Sequence, residues 1–292
     1  MGFLKALFGG SEQSPEEERK EQEARNFDLL KYDGVKAMRI GRVDYALKCF
    51  EGALALKDDL EVRDYMARAL TQTGEMEKAV EQYRLLAEAE PGNVGILLQM
   101  AHVAYMMEDY GLMEETCQQA LTIDKDNAQA HYFMARACIG QGNLINAVAQ
   151  LTAAIALHED YGDAYLLRGQ TLLKMGDVKG AGDDADFLHE HAGDDEDVLM
   201  LKARVEAAKG NKDEALLIYN KVIDLNPFVV EAYRERGQIK FENGDTAGAK
   251  ADADKVLELD PQQLADVSGE FSANGIEQKT RQAYSAVNPL GI

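Results

Sequence analysis

The residues best suited to chemistry gather once in this chain. His189, Glu190 and His191 follow closely on Asp183, Asp184 and Asp186. Imidazoles and carboxylates at that density suggest a divalent-metal site. In a helix, however, residues two apart point to different faces, so His189 and His191 cannot chelate one ion together. The acidic run from Asp194 to Asp197 lacks the alternating spacing of a calcium loop. Cys49, Cys117 and Cys138 contain no CxxC pair, and an odd count at wide spacing argues against a disulfide framework. They fall near core-facing positions, where a thiol behaves as a small hydrophobe, and a reducing compartment suits them. The sequence has no glycine-rich phosphate loop, no HExxH and no nucleophile elbow, and its few serines are mostly terminal. The expectation is a non-enzymatic protein with no catalytic residue, metal or cofactor.

Charge narrows the partners. The chain carries 52 acidic against 31 basic residues, a formal charge of −21. Such a surface repels duplex DNA and anionic lipid, leaving neutral or cationic protein partners as the better fit. Near the start, Phe3, Leu4, Leu7 and Phe8 form an apolar run too short for a signal-peptide core. Ala6 stands where myristoylation needs Ser or Thr. No stretch is long enough to span a bilayer. A cytoplasmic protein without stable membrane insertion is expected.

Positioning depends on a repeat. One small residue recurs at Ala46, Ala79, Ala147, Ala181, Ala215 and Ala249, with Met113 filling the gap, at steps of 34 residues after a first step one shorter. A second series keeps the same step: Gly34, Ala67, Ala101, Ala135, Gly169, Ala203, Gly237. A third is glycine at 41, 74, 142, 176, 210 and 244, with Glu108 as the exception. The first two series let paired helices, A then B, cross closely. The third supplies a left-handed residue that ends helix A. Asn143, Asp177, Asn211 and Asp245 then stand where they can cap helix B. Phe50, Tyr83, Leu151 and Tyr219 fall on its buried side, and Pro91, Pro227 and Pro261 close some repeats. The irregular third hairpin, with Glu108, Met113 and Cys117 at signature positions, is expected to have a distorted turn.

Three series in register make the chain resemble the tetratricopeptide repeat family over roughly four-fifths of its length. The fold expected is an all-α, right-handed superhelical solenoid. About seven helix-turn-helix repeats are placed at 27–60, 60–93, 94–127, 128–161, 162–195, 196–229 and 230–263. Residues 1–26 are an apolar arm and charged helical extension, with Ser14-Pro15-Glu16-Glu17 as a capped helix start. Residues 264–292 are divergent capping helices and a tail, with Leu264, Val267 and Phe271 on one helical face. The family's aromatic near the start of helix A survives only as Tyr165 and Tyr233.

The resemblance implies that the A helices line a concave groove through positions 2, 5, 6, 9, 12 and 13 of each repeat. Position nine then supplies Arg68, His102, Arg136, Gln170, Arg204 and Gln238. Position five supplies Leu98, Tyr132, Leu166 and Met200, position twelve Tyr105, and position six Phe133. Together these form an apolar, aromatic strip with arginines at alternate repeats. Arginine can fork onto a carboxylate while its neighbours bury a side chain. The partner expected is a peptide or helix with apolar anchors and a carboxylate, bound by a non-catalytic adaptor. The family's carboxylate clamp for heat-shock chaperones is not met, since Lys31 is followed by Val35 and no repeat carries both clamp residues. Arg168 with Asp184, and Arg236 with Asp252, are expected to be structural ion pairs within hairpins. The competing expectations are self-assembly through the apolar arm, giving a homo-oligomer, or a non-catalytic subunit whose groove is filled by its own termini.

Overall fold

The computed structural model describes residues 14–261. The arm before Ser14 and the closing segment after Pro261 lie outside them. Fourteen α-helices and no strand occur among the described residues, an all-α solenoid of helical hairpins. Two compact units divide at Asp160 and Tyr161. The first holds α1 (Pro15–Arg39), α2 (Val43–Leu56), α3 (Leu60–Thr73), α4 (Met76–Ala89), α5 (Val94–Met106), α6 (Tyr110–Ile123), α7 (Ala128–Gly140) and α8 (Leu144–Leu157). The second holds α9 (Gly162–Lys174), α10 (Val178–Ala192), α11 (Glu196–Lys209), α12 (Lys212–Leu225), α13 (Val230–Glu242) and α14 (Thr246–Leu259). Within each unit every helix packs on its chain neighbours, and A helix meets A helix at α5–α7 and α9–α11.

The small-residue series sit at the crossings. Ala46, Ala79, Met113, Ala147, Ala181 and Ala215 on the B helices are fully buried, as are Ala67, Ala101, Ala135 and Ala203 on the A helices. Gly34 lies so close to the Phe50 ring that an added Cβ would collide with it, and a Cβ on Gly169 would come within 2.7 Å of Leu201. Phe50, Tyr83, Cys117, Leu151, Ala185 and Tyr219 occupy one buried repeat position against these crossings. Removing a large apolar side chain from water there contributes about 1.5–3 kcal/mol.

Every A-to-B turn closes with the same backbone hydrogen bond. Examples are Asn143 N to Cys138 O at 2.8 Å and Asp177 N to Leu172 O at 2.9 Å. Six of the turns place a glycine at positive φ. The third hairpin departs from expectation here. Its turn is not distorted, because Asp109 N reaches Ala104 O at 2.9 Å and Glu108 itself takes φ 55°. Backbone hydrogen bonding holds a side-chain-bearing residue in a region that costs it about 1–2 kcal/mol.

Capping also shows one difference. Asn143, Asp177 and Asp245 accept the free amides that open α8, α10 and α14, but Asn211 makes no cap bond. Its amide donates instead to Glu206 at 2.7 Å. The A helices have caps of their own in Asp59, Asn93, Asn127 and Asp195. At the start of α1, the Ser14 hydroxyl accepts from Glu17 N at 3.3 Å and Ser14 N donates to the Glu17 carboxylate at 2.7 Å. That capping box starts a 25-residue helix whose first three turns bury no side chain. Pairs such as Glu16–Lys20, Arg19–Glu23 and Glu21–Arg25 lace its surface. No helix among the described residues is long and apolar enough to cross a membrane.

Candidate interaction face on the A helices

In the first unit, α3, α5 and α7 carry the candidate residues Arg68, Leu98, His102, Tyr105, Tyr132, Phe133 and Arg136. They divide by exposure. Leu98 and Phe133 are 8% and 7% exposed and belong to the core, not to an open surface. Positions five and six of an A helix also face the neighbouring hairpin, and large apolar side chains there fill that contact. His102 is exposed, while Tyr105, Tyr132 and Arg136 are half-buried.

These residues form one cluster. The Arg136 guanidinium lies over the Tyr105 ring, 3.5 Å from its centroid, and 5.7 Å from that of Tyr132. His102 and Tyr132 each tilt against Phe133, with centroids 6.3 and 6.0 Å away. Stacking holds the flat guanidinium on an aromatic face and is worth about 0.5–2 kcal/mol according to exposure. No carboxylate pairs with Arg136 among the described residues. Its edge donors can therefore fork onto an incoming carboxylate.

The other two candidate arginines are occupied. Arg68 pairs with Asp64 on its own helix at 2.8 Å. It lines a 420 Å³ cleft with Leu60, Leu86, Ile96, Glu61 and Glu90. Arg204, in the second unit, is already forked onto Glu235 of the next A helix at 2.7–3.0 Å. Tyr219 donates its hydroxyl to the same carboxylate at 2.7 Å. Burial, followed by that acidic neighbour, pushes the Tyr219 phenol far up, so it stays a donor. Sequence reasoning treated the three arginines alike. Two signals separate them: an acid at position six of the following hairpin, Glu235 after Arg204, and an acid four residues earlier on the same helix, Asp64 before Arg68, where Arg136 has Leu167 and Tyr132.

Elsewhere in the second unit, Leu166 and Gln170 are half-buried and Gln238 is exposed. Met200 is 5% exposed and packs into the core with Leu199, Ala203 and Ile239. Gln170, Leu173, Lys174, Leu201 and Arg204 line a smaller cleft of 250 Å³.

Several other polar groups have structural partners. Arg168 forks onto Asp184 at 2.6 and 2.9 Å, and Arg236 onto Asp252 at 2.5 and 3.0 Å, as expected of pairs within hairpins. Burial raises the Asp252 carboxyl, but hydrogen bonds from Arg236 and Lys240 outweigh it and hold the group below the usual aspartate range. His189 and His191 turn their Nδ1 atoms to the carbonyls of Gly193 and Phe187. Asp194 pairs with Lys221 at 2.6 Å and Asp195 caps α11. All three cysteines are free and buried, and burial pushes the Cys117 thiol up to about 12. Such a thiol is a packing group, not a nucleophile.

Stacked hairpins, each closed by small residues at its crossing, define a helical-repeat protein. Residues 134–194 and 200–263 match the family model described as tetratricopeptide repeat. Those residues carry tetratricopeptide repeats, and the chain as a whole shares the fold of proteins of that family. A search of curated protein sequences found no match. Among solved structures, the chain is similar to a tetratricopeptide repeat protein from Parabacteroides merdae, with a TM-score of 0.69 at 15% identity over 80% of this chain and 93% of that one. It is similar to pilF of Pseudomonas aeruginosa, with a TM-score of 0.59 at 15% identity over 74% and 99%. It also resembles YrrB, described as a tetratricopeptide repeat protein with an unusual peptide-binding site, with a TM-score of 0.51 at 19% identity over 62% and 94%. At these identities the likeness is one of fold.

Proposed function

We propose that this chain is a non-catalytic cytoplasmic adaptor whose A-helix face in the first unit binds a peptide segment of a partner protein. The observation that carries the reading is Arg136, stacked 3.5 Å from the Tyr105 centroid and without a carboxylate partner among the described residues. A guanidinium fixed on a ring has lost its rotamer freedom before binding, so little more is lost when a carboxylate arrives. Tyr105 and Tyr132 set aromatic surface beside the guanidinium. The ligand is therefore an acidic side chain or a terminal carboxylate flanked by apolar residues. The strongly acidic remainder of the chain favours neutral or cationic flanks. The tetratricopeptide match supports an interaction role, and a protein of similar fold described as having a peptide-binding site favours a peptide as the ligand class.

The test is selection of binders from a random peptide library on the unsubstituted protein. The selected peptides are expected to share an acidic residue next to an apolar one. Arg136→Glu with Tyr132→Ala should abolish their binding and leave the far-ultraviolet helical signal intact. Selected peptides that bind the double variant unchanged would place the site elsewhere.

A further inference from the structure

The acidic balance of the chain hides one local reversal. Lys36, Arg39, Arg42 and Lys48 follow one another with no carboxylate paired to any of them among the described residues, whereas Lys31 before them and Lys57 after them are both held by Asp59. The four gather at the turn of the first hairpin. Lys36 and Arg39 stand three residues apart at the end of α1, on one face. Arg42 precedes α2 and lines a 370 Å³ cleft with Asp44, Tyr45 and Lys48. Its guanidinium lies 5.4 Å from the Tyr45 ring centroid. All four cations are exposed, and so are Ile40 at 62% and Tyr45 at 46%. Asp33 and Asp44 are the acids of this stretch, so four positive charges stand against two negative. The next two turns are acidic: Glu75 and Glu77 flank Met76, with Lys78 already bonded to Glu75, and Glu108 stands beside Asp109.

We propose that this turn docks a short acidic segment of a partner protein, with carboxylates on Lys36, Arg39, Arg42 and Lys48 and an apolar residue against Ile40 or Tyr45. Charge complementarity carries the assignment. Arginine forks and flexible ammonium groups both suit carboxylates, and cations left together repel one another until an anion arrives. Length decides between anions. Packed helices lie about 8–10 Å apart, so a ligand that extends beyond one hairpin meets the acidic turns within about one Debye length. A bilayer or a nucleic-acid duplex is such a ligand, whereas a segment of a few residues covers the basic turn alone. The surface lies at a turn, not on the A-helix face, and does not use Arg136.

The probe is a fluorescein-labelled Glu-Glu-Leu-Glu-Glu peptide, blocked at both ends so that it has no terminal charge. Its fluorescence anisotropy with the full-length protein should show saturable binding that weakens as salt is raised, and the Gln-Gln-Leu-Gln-Gln analogue should not bind. Arg42→Glu with Lys48→Glu should weaken the acidic peptide roughly tenfold or more. Both positions are exposed and Arg42 makes no side-chain cap bond, so the helical signal should stay intact. Arg136→Glu with Tyr132→Ala should leave the affinity unchanged, which separates this surface from the A-helix site. No saturable binding of the acidic peptide, or binding that survives the charge reversals, overturns the proposal. So does loss of binding in the Arg136 double variant alone. Sedimentation with phosphatidylserine vesicles that the charge reversals abolish would overturn it in favour of a membrane. A light-scattering mass that grows with concentration and reverts in the charge-reversed variant would overturn it in favour of a second copy.

Discussion

Glu108 stands at the turn position that the other A-to-B turns give to glycine, and it takes φ 55° there. Substitution to glycine removes the steric cost of a left-handed side-chain-bearing residue but adds freedom to the unfolded chain. The net expectation is that Glu108→Gly raises stability by about 0.5–1 kcal/mol, seen as a higher denaturant midpoint at constant slope. At the same scale, Arg136→Lys keeps the charge and loses the flat stacked fork. Affinity for selected acidic peptides should fall roughly tenfold while the denaturation midpoint stays within error. A variant that also loses stability would show that the stack on Tyr105 serves the fold and not a ligand. The sequence marked Glu108 as the exception. It could not show that hydrogen bonding at the turn would override residue type.

Between elements, close approach and charge pairing decide stability. The α1–α2 crossing leaves no room for a Cβ on Gly34 beside Phe50. Gly34→Ala should cost about 1–3 kcal/mol by overpacking. Adding Phe50→Leu should recover part of that loss, which a double-mutant cycle measures. The α13–α14 pair rests on Asp252, 4% exposed, between Arg236 and Lys240. Its folded pKa lies below the ordinary 3.8. The pair therefore stabilises the protein fully at neutral pH, and that contribution is lost as pH falls below 3.8 through the folded value. Asp252→Asn should cost about 2–3 kcal/mol at pH 7, and the gap from the unsubstituted protein should close in acid. A gap that stays constant with pH would mean that packing, not charge, sets the cost. Both ion pairs were legible because arginine and aspartate sit 16 residues apart in two hairpins, where A faces B.

For the molecule as a whole, the 34-residue step was legible because close helix crossings admit few residue types. The candidate site was only partly so. Leu98, Phe133 and Met200 share repeat positions with exposed residues of other hairpins, and only the size of the neighbouring side chains decides which way they pack. Arg204 was indistinguishable from Arg136 until Glu235 was placed beside it. The surface proposed for binding is the partly exposed cluster of His102, Tyr105, Tyr132 and Arg136. Its use is best tested with a photo-crosslinking amino acid installed at one of two exposed sites of the first unit, His102 on α5 or Ile145 on the B helix α8. Peptides selected on the unsubstituted protein should crosslink from position 102 and not from 145. Crosslinking from 145 alone would contradict binding on the A helices.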